Sequence, residues 1–171
     1  MREPPKGDRP DFKWLMDESK HLASLIGVSP KQIYEIFKAR TDWEFIIKID
    51  ALLEAASKKV VKAALVNGYL NPDDIDEFVD SLPMRGRTSI LKLLQASGCD
   101  TPERNLIDCV RILRNGFAHD ITQMELRLIE VIKQRKDKSN LLKGLSWIHE
   151  CEEDKLIEMY EKDGSFSVLA S

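Results

Sequence analysis

Residues 101–120 read TPERNLIDCVRILRNGFAHD, and the pattern of this stretch decides the fold class. Its apolar residues Leu106, Val110, Leu113 and Phe117 follow one another at steps of four, three and four. These steps place the four side chains on one face of an α-helix. The preceding Thr101-Pro102 is a helix-start signal, because threonine caps free N–H groups and proline fits the first turn. The stretch therefore predicts an amphipathic helix that buries one face against other helices.

The same helical period continues on both sides, and no segment alternates like a β-strand. Cap residues predict helix starts at Ser29, Thr41, Asn71 and Ser89, and Glu44 completes a capping box with Thr41. One last helix is predicted from Leu141 to Tyr160. We therefore predict an all-α, up-and-down helical bundle of roughly four or five core helices, with further N- and C-terminal helices. It forms a single domain over residues 11–163, after a flexible lead-in (1–10) and before a loose tail (164–171).

Composition restricts the class of protein. The chain has 171 residues, 43% hydrophobic and 32% charged, with a net charge of -3, which suits one globular domain and does not favour a polybasic nucleic-acid binder. Its three cysteines form no Cys-x-x-Cys pair, so we expect neither a disulfide framework nor a cysteine zinc site. There is no apolar run long enough for a membrane span and no export signal. We predict a cytoplasmic protein that does not enter membranes.

Charge is distributed unevenly along the chain. Six basic and three acidic residues lie between Arg85 and Arg114, whereas seven acidic residues and two lysines lie between Glu150 and Asp163. Arg85 and Arg87 precede a predicted helix start, where free N–H groups and two guanidiniums can bind a phosphate; the alternative is an exposed loop. We further expect the acidic segment between Glu150 and Asp163 to mask a basic groove formed by Arg85, Arg87 and Arg111. No metal site is predicted, because His149–Glu153 lacks the two-histidine spacing of a zinc-binding helix and is typical of a solvated acidic face.

The residues Arg111, Asn115 and His119 form a polar row on the predicted helix, since residues four apart differ by about 40°. Arg114 lies about 140° from His119, so the two meet only if the backbone bends near Gly116 or a second copy supplies a partner. Histidine can move a proton near neutral pH, and arginine can hold a phosphate and stabilise its developing charge. This pattern predicts metal-free, cofactor-free cleavage of RNA through its 2′-hydroxyl. The structural alternative is a helix end in which Arg114 and Asn115 cap or pair with neighbours and His119 complements the helix dipole.

Arg114-Asn115-x-x-x-His119 resembles the signature of the HEPN superfamily, an arginine and a histidine separated by four to six residues, often with asparagine after the arginine. Residues 85–94 and 106–120 look similar to the mannitol-operon-repressor-like branch, and the resemblance covers about residues 41–132. It implies a helical bundle, usually dimeric, whose motifs face each other across the interface. It further implies that Arg114 binds phosphate, that His119 is catalytic and that Asn115 is a polar helper.

Two functions remain open from this resemblance. Many HEPN proteins are metal-independent ribonucleases of toxin or defence systems, so the chain is a candidate endoribonuclease that binds RNA through Arg85, Arg87 and Arg111. Others, the repressor-like branch among them, are regulatory, so the alternative is a non-catalytic regulatory and dimerisation module. The partners expected are RNA, a second copy of the chain, and an antitoxin or regulatory protein.

Overall fold

The computed structural model describes residues 12–66, 71–149 and 152–163. The prediction of an all-α helical bundle is confirmed, because these ranges are 77% helical and contain no strand. The helices are α1 (Phe12–Ile26), α2 (Pro30–Phe37), α3 (Asp42–Leu65), α4 (Pro72–Ser81), α5 (Ile90–Ala96), α6 (Thr101–His119), α7 (Leu128–Lys133), α8 (Lys138–His149) and α9 (Glu153–Asp163), with a 3-10 turn at Ile121–Gln123. Within the described ranges, no helix has the length and apolar character needed to cross a membrane. The predicted lead-in 1–10 and tail 164–171 lie outside the described residues.

Side-chain caps account for the starts of α2, α3, α4 and α5. The Ser29 hydroxyl accepts a hydrogen bond from the N–H of Gln32, and the Gln32 side chain accepts one from the N–H of Ser29. Thr41, Asn71 and Ser89 likewise accept from N–H groups in the first turns of α3, α4 and α5. Each such bond satisfies a donor that the helix itself leaves free. The predicted starts at these four residues are confirmed.

Three details of the predicted boundaries are wrong. The carboxylate of Glu44 accepts from the N–H of Arg40 and not from that of Thr41, so the capping box is incomplete. The cap residue of α6 is Asp100, which places Thr101 inside the helix. The predicted last helix is two helices, because α8 ends at His149 and Glu152 is not helical. The helical spacing of apolar residues continues from α8 into α9 because both helices pack into the same hydrophobic core.

The helices α3 and α6 pack against each other and connect two hydrophobic clusters. The larger cluster combines α6 with the first half of α3 and with α7, α8 and α9; the smaller one joins the end of α3 to α4 and α5. The predicted stripe of α6 is confirmed as a core face, since Leu113 and Phe117 are 0% and 1% exposed. The packing of this stripe directs the opposite, polar side of α6 outward and towards α3.

The acidic helix α9 is part of the main core. Its Leu156 and Tyr160 are fully buried in the larger cluster. The guanidinium of Arg127 donates to the carbonyls of Tyr160 and Glu161, and the Lys133 ammonium pairs with the Glu161 carboxylate. These described contacts hold α9 against α7 and do not involve the arginines of α6. The expected masking of the basic groove by α9 is therefore not observed among the described residues.

Candidate functional site

The helix α6 carries Arg111, Arg114, Asn115 and His119 without interruption. Gly116 lies inside this helix, and its φ angle is not in the left-handed region. Gly116 therefore does not interrupt the helix, and the bend near it, one of the two routes by which Arg114 and His119 could meet, stays a prediction. On a continuous helix the Cα–Cβ directions of Arg114 and His119 differ by about 140°. The backbone alone does not bring these two residues together, so their approach depends on the reach of the side chains or on a second copy.

Arg114 and Asn115 are joined by a hydrogen bond. The Nη1 of Arg114 donates to the Oδ1 of Asn115 over 3.1 Å, and the Arg114 Nε lies 3.7 Å from the Oδ2 of Asp50 on α3. Asn115 lies about 100° around the helix from Arg114, in the direction of His119. The bond thus draws the guanidinium towards the side of α6 that bears the histidine. With 37% of its side chain exposed, Arg114 remains accessible to an anionic ligand.

His119 is exposed in the last turn of α6, and its imidazole has no hydrogen-bond partner among the described residues. Asp120 does not orient it, because its carboxylate accepts from the N–H and hydroxyl of Thr122 and from the Gln123 amide. The Thr122 hydroxyl bond is the main cause that lowers the pKa of Asp120. A positive charge or a hydrogen-bond donor near a helix C-terminus interacts favourably with the helix dipole. The position of His119 is therefore equally compatible with a purely structural role at the end of α6.

Arg111 forms ion pairs with two carboxylates of α3. Its Nη1 lies 2.6 Å from the Oδ2 of Asp50 and 3.0 Å from the Oε2 of Glu54. Burial raises the pKa of Asp50, whose side chain is 8% exposed, and the charge of Arg111 opposes that shift. This geometry engages the Nη1 of Arg111 with carboxylates at the contact between α3 and α6, whereas RNA binding by Arg111 stays a prediction.

Arg85 and Arg87 occupy the turn before α5. The Nε of Arg85 lies 2.8 Å from the Oδ1 of Asp108, whereas Arg87 is exposed and makes no ion pair with any residue that the structure describes. The predicted phosphate site at this helix start is wrong in one respect, because its first N–H groups are occupied. The acceptors are the carbonyls of Pro83 and Met84 and the Ser89 hydroxyl, which bind the N–H groups of Ile90, Leu91 and Lys92.

Two residues that contact α6 were not predicted from the sequence. Asp50 follows the buried Ile46 by four residues and precedes the buried Ser57 by seven. An acidic residue on the core face of a helix needs a cationic partner, and that spacing was the available signal. The other residue is Arg135, whose guanidinium lies against α6 at Gly116. No sequence signal identifies that contact, because the turn after α7 determines it.

Cysteine and metal chemistry find little support at this site. Burial raises the pKa of Cys109 to about 11, so its sulfur is a thiol at neutral pH. Among the described residues no three histidine, cysteine or acidic side chains group as metal ligands. Residues 149–153, for which the sequence predicts a solvated acidic face and no metal site, lie partly outside the described residues. No family model matches the sequence, no curated protein matches it, and no solved structure matches its fold.

Proposed function

We propose that this protein is a HEPN-like protein that acts on RNA, as a metal-independent endoribonuclease of the toxin or defence type. Arg114, Asn115 and His119 form its site. The observation that carries the proposal is the hydrogen bond from Arg114 to Asn115, which draws a partly exposed guanidinium towards the side of α6 that bears the exposed His119. This arrangement offers a proton acceptor and a phosphate-binding cation on one accessible part of a rigid helix.

In the proposed reaction, the 2′-hydroxyl of RNA attacks the adjacent phosphorus. A new P–O2′ bond forms and the P–O5′ bond breaks, which leaves a 2′,3′-cyclic phosphate and a 5′-hydroxyl. His119 takes the proton of the 2′-hydroxyl, and the proton required by the leaving 5′-oxygen can return from the imidazolium. Arg114 donates to the phosphate oxygens, where negative charge increases in the transition state. DNA has no 2′-hydroxyl and is not cleaved.

A homodimer in the cytoplasm, with RNA as substrate and an antitoxin or regulatory protein as partner, is the setting of this proposal. We place the contact between the two copies at the end of α6, where Ile121 is 78% exposed two residues after His119. Such a contact would bury this side chain. Two copies that meet at this end would place their His119 residues near each other.

One observation favours the second candidate, a non-catalytic regulatory and dimerisation module of mannitol-repressor-like type. Arg111 is neutralised by Asp50 and Glu54, and Arg85 is paired with Asp108. Two of the three arginines expected to bind RNA are therefore engaged within the chain. In this function the exposed His119 and Ile121 contact a protein partner, and no RNA is cleaved.

The test is incubation of purified protein with RNA in excess chelator. We expect the wild type to cleave, and Arg114→Ala and His119→Ala to cleave about 100-fold or more slowly, the usual size of an acid–base contribution. The matched controls Arg40→Ala and His21→Ala remove exposed side chains of the same types away from α6 and should retain activity. Circular dichroism establishes that every variant is folded. Absence of cleavage by the wild type, or full activity in both site variants, would leave the regulatory module as the function.

A further inference from the structure

Arg135 follows α7 and presents a hydrogen-bond donor at the surface of α6. Its Nε and Nη2 donate to the two carboxylate oxygens of Asp137 over 2.8 Å and 2.9 Å. The remaining nitrogen, Nη1, has no acceptor among the described residues. A Cβ atom built on Gly116 would lie 3.4 Å from this Nη1, so the guanidinium rests on the helix where the glycine leaves room.

Gly116 and His119 occupy neighbouring positions on the surface of α6. Measured around α6 from Arg114, Asn115 lies at about 100°, His119 at about 140° and Gly116 at about 200°. Gly116 is also less than one turn before His119 in the helix. On an ideal helix the His119 side chain therefore starts between Asn115, to which the Arg114 guanidinium is bonded, and Gly116, against which the Arg135 guanidinium lies.

Asp137 fixes the direction of Arg135. Two parallel hydrogen bonds from one guanidinium to one carboxylate define the plane of the group, and they lower the pKa of Asp137. The Arg135 side chain is 29% exposed, so it is held in place but remains open to solvent. A donor that is already oriented loses little conformational entropy when a ligand binds.

We propose that Arg135 binds an RNA phosphate next to the one contacted by Arg114, so that a single strand crosses the end of α6 with His119 between two arginines. This assignment rests on the proposed function and adds a substrate-binding residue to the same site.

The experiment measures binding of an RNA oligonucleotide with 2′-O-methyl groups, which cannot react, by fluorescence anisotropy at several salt concentrations. We expect Arg135→Gln to raise the Kd about tenfold and to reduce the slope of log K against log salt by about 0.7, the value for one phosphate contact with a single strand. Lys136→Gln removes an exposed charge from the same turn and serves as the matched control, with both quantities unchanged.

A second variant separates binding from turn structure. Asp137→Asn breaks the same pair but keeps the Arg135 guanidinium, so its Kd should stay within about threefold of the wild type and its salt slope should be retained. Equal loss of affinity in Arg135→Gln and Asp137→Asn would overturn the assignment, as would wild-type affinity in Arg135→Gln.

The cleavage assay distinguishes the two proposals. If Arg114 and His119 prove essential for cleavage while Arg135→Gln binds normally, only the role of Arg135 fails. If the wild type binds no RNA, both proposals fail.

Discussion

Replacing Arg111 by methionine removes the cation that joins α6 to α3 and preserves most of the aliphatic volume. Asp50 is then left with its carboxylate 8% exposed and with only the more distant Arg114 Nε, 3.7 Å away. Removal of one partner of a buried ion pair costs about 3–5 kcal/mol. Because Arg114 and the partly exposed position of Arg111 offset some of this cost, we expect the free energy of unfolding at pH 7 to fall by about 2–3 kcal/mol.

The loss should depend on pH in a defined direction. Burial already raises the pKa of Asp50 in the folded protein, and removal of Arg111 takes away the main influence that opposes this shift. A group whose folded pKa is raised favours the folded state at pH values below its unfolded pKa, and that contribution is lost as pH rises through the folded pKa. The variant therefore loses most stability at neutral pH. Its deficit relative to the wild type should shrink as the pH falls and Asp50 becomes protonated in both proteins.

Urea unfolding followed by circular dichroism at pH 7 and near pH 4 measures this deficit. Lys59→Met is the control, because it removes an exposed cation from the same helix α3 and should change stability by less than about 0.5 kcal/mol. In an Asp50→Asn background, the stability lost through Arg111→Met should depend much less on pH. A deficit below about 0.5 kcal/mol at pH 7, or an equal deficit at both pH values, would refute the assignment of Arg111 to the helix contact.

Three further predictions concern the surroundings of the site. Gly144→Ala should lower stability by about 1–3 kcal/mol, because its Cβ would lie 2.3 Å from the Cys109 Sγ. In a Cys109→Ala background the same change should be neutral or stabilising, and equal losses in both backgrounds, measured by thermal unfolding, would contradict the contact. Gly116→Ala should raise stability by up to about 1 kcal/mol, because alanine favours the helical conformation more than glycine does. The added Cβ would contact its neighbours at ordinary distances within an uninterrupted helix. A marked loss of stability in urea unfolding would indicate a bend at this residue. Ile121→Glu should shift the mass measured by light scattering from dimer towards monomer, whereas an unchanged mass would place the dimer contact elsewhere.

The fold was predictable because the decisive patterns are local. The stripe from Leu106 to Phe117 repeats at helical steps, and the cap residues at Ser29, Asn71 and Ser89 act on N–H groups only a few residues away. The break between α8 and α9 was missed for a physical reason. Leu145 and Leu156 enter the same core from two helices, so their period looks like that of one.

The site was only partly predictable, because side-chain partners come from distant parts of the chain. Arg111 looked like a ligand-binding residue in the polar row, but its partner Asp50 is 61 residues away in sequence. The Arg135 contact at Gly116 depends on how the chain turns after α7. The spacing of Arg114 and His119 places the two residues about 140° apart on a straight helix, but it gave no sign of the hydrogen bond from Arg114 to Asn115.

The most direct test of the proposed chemistry is mass spectrometry of the products from a DNA oligonucleotide that contains one ribonucleotide, incubated with the protein in excess chelator. We expect a single cut on the 3′ side of the ribonucleotide, a 2′,3′-cyclic phosphate on one fragment, a 5′-hydroxyl on the other, and no cut with His119→Ala. Intact oligonucleotide after incubation with the folded wild type, or cleavage that persists in His119→Ala, would contradict it.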